Sequence, residues 1–217
     1  MPHDDLKHGQ LRFNSGERQV IDLFAEKLFL RKLTEEDYAR LFGAVGGAKI
    51  DVGYCDDAIL VDFLFQADVC ISMVMSITGN NDDIVFCFDS VLCFGDFAVA
   101  ERVMHEIINL QIRTAREFGI RHMTVQGAEI SKMRASCRNT LVSIDWSKYG
   151  FDAFISDDFL NELPPELQWA SLLSELLDDR EGNTLWRQTL SRSPMAGSLE
   201  WFFDLEFYSR CARVYVR

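Results

Sequence analysis

The stretch that decides the fold begins with Ile84-Val-Phe-Cys-Phe-Asp-Ser-Val-Leu-Cys-Phe94, an apolar run typical of a buried strand. Residues 95–97, Gly-Asp-Phe, predict a tight turn, and residues 98–118 have apolar side chains at helical spacing. Gly119 is a typical residue to end that helix, and residues 122–126 predict a second strand. A strand, a turn, a helix and a strand in this order predict a βαβ crossover, whose two strands lie parallel in one sheet.

The residues on either side of this unit predict further helices and strands. Helices are predicted at 16–32, capped by Ser15, and at 34–42, where Thr34 and Asp37 form a capping box. Strands at 58–65 and 69–77 form a three-strand meander with 84–94, and their nearly continuous apolar runs predict a sheet covered on both faces. Residues 129–138 predict a loop. The last two strands are predicted at 151–156 and 199–207, with helices between them at 157–163, 165–179 and 183–190.

Together these elements predict an α+β chain with three α/β/α layers around a mixed sheet. The sequence predicts a flexible polar tail at residues 1–10 and a single domain at residues 11–217. The helical segment 157–197 is an insertion between the last two strands. Insertions of this kind often carry binding surfaces, so this segment is the predicted surface for a partner or a substrate.

The composition limits the class of partner. The chain has 217 residues and a formal net charge of −12. Nucleic-acid binding is not predicted, because it needs clusters of Lys and Arg, whereas an acidic surface favours a basic protein partner. The sequence has no apolar run long enough to span a bilayer and no apolar signal core, and its six cysteines are scattered. These features predict a cytoplasmic protein with reduced thiols and no membrane contact.

Two stretches resemble the GNAT acetyltransferase superfamily. Residues 92–104, with the downstream Arg113-Thr-Ala-Arg-Glu-Phe-Gly-Ile-Arg-His-Met-Thr124, are similar to the superfamily's helix and its A-x-x-x-G-I/V-x-x-hydrophobic strand entry. Residues 139–151 are similar to its N-x-x-A-x-x-x-Y-x-K-x-G-F segment, with Asn139, Lys148, Gly150 and Phe151 at matching positions. The rest of the chain agrees only in the order of its elements, and the resemblance implies a GNAT-like fold.

The resemblance also implies a cofactor site. In this superfamily acetyl-coenzyme A binds at a Q/R-x-x-G-x-G/A loop before a helix, where free amide groups and the positive end of the helix dipole attract pyrophosphate. The aligned stretch here is Gly95-Asp-Phe-Ala-Val-Ala100. The residues implied to contact an acyl-coenzyme A are Phe94, Gly95, Phe97, Ala98, Val99, Ala100, Asn139 and Trp146.

The aligned residues depart from the superfamily pattern in the pyrophosphate loop and at the position of the catalytic acid. Gly95 replaces Gln or Arg, Ala98 replaces the first loop glycine, and Asp96 adds a negative charge. At ~5 Å from a phosphate that charge would cost about 3 kcal/mol at an intermediate dielectric. Trp146 stands where a tyrosine often protonates the departing thiolate, and an indole N–H is no useful acid. Tyr149 is predicted to lie on a different helical face.

The sequence assigns neither a metal site nor a catalytic residue. Glu101 and His105 share one helical face, but no third ligand lies at useful spacing. Glu101, Glu129 or His122 could deprotonate an acceptor amine, and the sequence does not choose among them.

Two hypotheses follow. In the first, the chain is a GNAT-like protein with a degenerate acetyl-coenzyme A site, which binds no cofactor and acts as a protein-binding or regulatory module. In the second, it is an active acyl-coenzyme A-dependent N-acyltransferase with a divergent pyrophosphate loop and Asn139 on the pantetheine arm. Whether the chain is an enzyme stays open at this point.

Overall fold

The structure is a computed structural model that describes residues 9–125, 131–135, 141–190, 199 and 201–204. It has an α+β fold built on one mixed sheet, as predicted. The strands are β1 (Gln10–Phe13), β2 (Ala48–Cys55), β3 (Ala58–Gln66), β4 (Val69–Asn80), β5 (Asp83–Gly95), β6 (His122–Val125), β7 (Ser131–Ala135), β8 (Leu141–Ser143), β9 (Asp152–Ala153) and β10 (Trp201–Asp204). The α-helices are α1 (Arg18–Phe29), α2 (Glu35–Leu41), α3 (Phe97–Glu117), α4 (Asp157–Glu162), α5 (Leu173–Asp178) and α6 (Arg180–Gln188), and short 3₁₀ helices lie at Trp146–Tyr149 and Pro165–Leu167. No helix in the described part of the chain is long and apolar enough to cross a membrane.

The predicted βαβ unit is confirmed. Strands β5 and β6 are parallel neighbours, with Val85 beside His122 in the register, and α3 connects them. Beyond β6, the same edge of β5 pairs in parallel with β7, from Val91 beside Ser131 to Gly95 beside Ala135. The predicted loop at 129–138 was therefore wrong for residues 131–135.

The antiparallel meander has four strands, β2 to β5, rather than the predicted three. Strand β2 alternates buried and exposed residues at its start, as a half-buried strand does. The missed β1 pairs in parallel with β2 from Gln10 onward, so the predicted tail reaches one residue too far, and residues 1–8 lie outside the described part. The capping box of Thr34 and Asp37 is confirmed. The predicted Ser15 cap is wrong, because α1 begins at Arg18 with Glu17 at its N-cap.

Helices α1 and α3 cover the same face of the sheet. Phe24 of α1 contacts the ring of Tyr54 on β2, and Gln111 of α3 donates to the sulfur of Met75 on β4. The strand register places Tyr54 and Met75 on one face. On the other face Leu60 remains 39% exposed and Val74 37%. The predicted cover on both faces is therefore wrong for β3 and β4, because the helices that pack on these strands share one side.

The helical insertion lies in the sequence between the last two strands, β9 and β10. Strand β10 lies between β6 and β9 and is antiparallel to both, so the predicted return beside 151–156 is confirmed. Between β9 and β10 the chain forms α4, α5 and α6, while residues 191–197 of the predicted insertion lie outside the described part. Trp186 of α6 is buried and packs edge-on against Trp201 of β10, so the insertion is anchored to the sheet.

Candidate functional site

The junction of β5 and α3 holds most of the predicted cofactor contacts. Strand β5 continues to Gly95, and α3 already begins at Phe97, so Asp96 alone connects them. Gly95 has φ +118°, and a Cβ atom there would lie 3.1 Å from Cγ1 of Val69. The predicted turn 95–97 is thus a strand end, a capping residue and the first helical residue. Residues 95–100, which align with the superfamily's pyrophosphate loop, therefore form mainly the first turn of α3 rather than a loop.

Asp96 occupies the N-terminus of α3 with its own carboxylate. Its Oδ1 accepts a hydrogen bond from the backbone N–H of Val99 at 3.0 Å, and its backbone carbonyl accepts from Ala100 N at 2.9 Å. The first amide groups of a helix and its positive dipole end favour an anion, and here the anion belongs to the chain. A pyrophosphate at this helix end would have to displace the carboxylate or lie beside it.

The other residues predicted at this junction point in different directions. Phe94 is 38% exposed on the sheet face that α1 and α3 leave uncovered, because its neighbour Cys93 is fully buried on the helix face. Ala98 is exposed in the first turn of α3, Val99 packs partly against the core, and Ala100 is buried. Phe97 contributes the first residue of α3. Asn139 lies outside the described residues.

Trp146 is a buried packing residue next to this junction. Its side chain is 0% exposed and contacts the rings of Phe88, Tyr149 and Phe151 at centroid distances of 5.1, 5.9 and 5.1 Å. Its indole N–H has no hydrogen-bond acceptor among the described residues. With no exposed surface, Trp146 could contact a ligand only after the surrounding aromatic side chains moved.

The 3₁₀ helix Trp146–Tyr149 packs against α3. Lys148 pairs with Glu101, and the ring of Tyr149 lies 5.9 Å from that of His105. Burial, followed by the nearby Glu101, Cys93 and Asp145, raises the pKa of Tyr149 well above its ordinary value. Tyr149 therefore keeps its proton at neutral pH and is a poorer acid than an exposed tyrosine.

No metal centre forms in the described part of the molecule. Glu101 and His105 contact Lys148 and Tyr149 respectively, and no group of three or more His, Cys, Asp or Glu side chains comes together. Within the described residues, Glu101 and His105 therefore pack against other side chains and do not form part of a metal-binding group.

The helical insertion has a strongly acidic surface. Residues 157–190 contain eight acidic and two basic side chains, a net charge of −6, which is half of the charge of the whole chain. Two acidic residues are used locally: Glu175 accepts from the N–H groups of Ser171 and Leu172, and Asp179 caps α6. Others are exposed, namely Asp157, Asp158, Glu162, Glu166, Asp178 and Glu181. Trp169 lies on the same insertion and is 58% exposed.

Comparison with protein-family models, with curated proteins and with solved structures found no match. The GNAT resemblance therefore remains a prediction from the sequence.

The Asp96 cap is the functional feature that sequence reasoning missed. An aspartate directly before a helical pattern is a common N-cap signal, so the sequence contained this information. What the sequence did not indicate is that β5 reaches Gly95 and α3 begins at Phe97, so that only Asp96 lies between them.

Proposed function

We propose that this protein is a GNAT-like module with a degenerate acyl-coenzyme A site, which binds a basic protein partner instead of transferring an acyl group. The observation that carries the proposal is the hydrogen bond from Val99 N to Asp96 Oδ1. A carboxylate on this amide group supplies the negative charge that a pyrophosphate would otherwise supply, and it repels a second anion.

The pairing of β5 supports the same proposal. At the end of this strand, Gly95 lies beside Val69 of β4 on one side and Ala135 of β7 on the other. A strand paired along both edges offers no free ladder of backbone groups to an extended ligand arm. At this junction an acyl-coenzyme A would therefore meet a helix N-terminus that Asp96 already occupies and a strand that is paired along both edges.

The acidic insertion supports a basic partner. Opposite charges steer two proteins together and exclude partners of like charge. Large exposed aromatic residues are frequent in the centres of interfaces, and Trp169 is such a residue on the same insertion. The partner surface we propose comprises the exposed acidic residues of α4 to α6 together with Trp169.

The competing function is acyl-coenzyme A-dependent N-acylation. It would require acetyl-coenzyme A to bind at the start of α3, and isothermal titration calorimetry measures this directly. We expect no heat of binding for the wild-type protein at millimolar acetyl-coenzyme A, and no release of free coenzyme A with amine acceptors.

An arginine variant distinguishes specific from unspecific cofactor binding. Ala98→Arg adds a bulky side chain to the exposed first turn of α3, and Gln19→Arg adds the same charge to an exposed position of α1. A micromolar affinity for acetyl-coenzyme A that Ala98→Arg abolishes and Gln19→Arg preserves would refute the proposal.

A further inference from the structure

Helix α1 carries an apolar stripe that faces solvent. Its inward side is buried in the core, but on its outward side Val20 is 44% exposed, Leu23 61% and Leu30 75%. Together with the exposed Lys27, these residues follow one another at steps of three and four, so they form one continuous line along the helix. We call this line the outer stripe of α1. Apolar residues at this spacing are the pattern against which a second helix packs.

Leu30 occupies a position that is unfavourable for a leucine in two ways. It ends α1 with φ +52° and ψ +25°, in the left-handed region that glycine adopts without strain. Its side chain is also the most exposed of the large apolar side chains that the structure describes. A contact outside the chain would bury this side chain and offset both costs, so the strained leucine indicates an interface.

A groove of about 480 Å³ lies beside the outer stripe. Leu23 and the buried Leu33 are its apolar residues, and Glu26 lies in its wall. Arg18 and Asp22 also line the groove, but they form an ion pair with each other. Glu26 has no ion-pair partner among the described residues, so its carboxylate is available to a group from outside.

The charges around the outer stripe are nearly balanced. Residues 18–37 carry four basic and five acidic side chains, a net charge of −1, whereas the whole chain has −12. This surface therefore lacks the acidic excess that would keep two copies of the chain apart, and it gives no preference to a strongly basic or acidic partner. Lys27 also has no ion-pair partner in the described part of the chain, so Glu26 and Lys27 offer one charge of each sign at neighbouring positions.

We propose that α1 forms an antiparallel pair with α1 of a second copy of this chain, across a two-fold axis midway between residues 20 and 30. A two-fold interface uses the same residues on both sides, so every contact occurs twice. Val20 of one copy then lies beside Leu30 of the other. Leu23 packs against the aliphatic stem of Lys27 from the second copy, and the reverse contact completes the pair.

The polar contacts follow from the same symmetry. The ammonium group of Lys27 comes within reach of the Glu26 carboxylate of the other copy, which gives two ion pairs, and each positive helix end lies near a negative one. The contact is small, because α1 has 12 residues and is about 18 Å long. A standard interface buries at least about 1,200 Å² in total, so we expect a weak dimer with a dissociation constant on the order of 100 µM.

Sedimentation velocity of the full chain, from about 10 µM to about 1 mM, measures this dimer. Leu23→Ser should weaken dimerisation at least about tenfold. Its matched control is Leu60→Ser, at an exposed apolar residue of the uncovered sheet face, which should have no effect. Leu30→Gly should also weaken dimerisation without lowering the melting temperature, because glycine relieves the backbone strain. A wild-type chain that stays monomeric over this range would refute the proposal.

Two charge reversals test whether the partner is a second copy. Glu26→Lys places two lysines against each other in both ion pairs, and Lys27→Glu places two carboxylates there, so each variant alone should dimerise about fivefold more weakly. A mixture of the two variants restores opposite charges in both pairs, and a heterodimer should form with the affinity of the wild type. A mixture that dimerises no better than its components would overturn the α1 pairing. Loss of the dimer in Leu60→Ser but not in Leu23→Ser would overturn it as well, in favour of the sheet face.

Discussion

Replacing Asp96 with alanine tests whether the chain itself satisfies the start of α3. The substitution removes the carboxylate that accepts from Val99 N at 3.0 Å. Losing an N-cap side chain costs about 0.5–2 kcal/mol, typically ~1 kcal/mol, and losing a negative charge at the positive helix end costs about 0.3–1 kcal/mol. We therefore expect Asp96→Ala to lower the free energy of unfolding by about 1–2 kcal/mol. For a chain of this size each kcal/mol corresponds to a melting-temperature shift of about 2–4 °C.

The matched variant Asp96→Asn separates the hydrogen bond from the charge. An asparagine side-chain oxygen can still accept from Val99 N, so this variant should lose only the charge contribution of about 0.3–1 kcal/mol. Urea denaturation at low and high salt measures both variants, and 1 M salt should reduce the cost of Asp96→Asn, because it screens charges beyond about 3 Å. If Asp96→Ala leaves the stability unchanged, the cap does not form, and the first amide groups of α3 are then open to a pyrophosphate.

Three further substitutions test the packing around the site. Gly95→Ala should cost at least about 2 kcal/mol and Gly119→Ala only about 1 kcal/mol, because both glycines have positive φ but only Gly95 is crowded; equal melting temperatures would contradict this. Burial raises the pKa of Cys93 from 9.0 to about 12, so the folded protein keeps a proton that the unfolded chain releases above pH 9. The contribution of the protonated thiol to stability is complete below pH 9 and is lost towards pH 12. In urea titrations, Cys93→Ala should therefore reduce the loss of unfolding free energy with rising pH by up to about 1.4 kcal/mol per pH unit. An unchanged slope would refute this. Gln111→Met should raise stability by about 1 kcal/mol, since the buried Oε1 of Gln111 has no partner among the described residues and methionine fills the same space; a lower urea midpoint would show that this oxygen is satisfied.

Some of the predictions failed although the relevant signal lay in the sequence. Strand β2 carries an alternation of inward Ile50 and Val52 with outward Lys49 and Asp51. The neighbouring glycines, Gly46, Gly47 and Gly53, and the following Asp56 and Asp57 masked this pattern, because those residue types are more frequent in turns. The cap at Asp96 was equally local. Both features could have been recognised from contiguous residues alone.

Other features depend on contacts between distant parts of the chain. Leu60 and Val74 are as apolar as the inward residues beside them, so their sequence could not indicate that α1 and α3 both pack on the opposite face. The pairing of Gly95 with Ala135 depends on a register between two strands that are forty residues apart.

The sequence alone was enough to predict the βαβ unit, the long helix α3 and the acidic character of the chain, because hydrophobic periodicity and charge are properties of neighbouring residues. The tertiary structure added that Asp96 alone separates β5 from α3, and that β9, β10 and α5 come together at one edge of the sheet. Phe202, for example, lies beside Asp152 only because their two strands pair. Such a contact depends on how the whole sheet closes, and no local pattern encodes it.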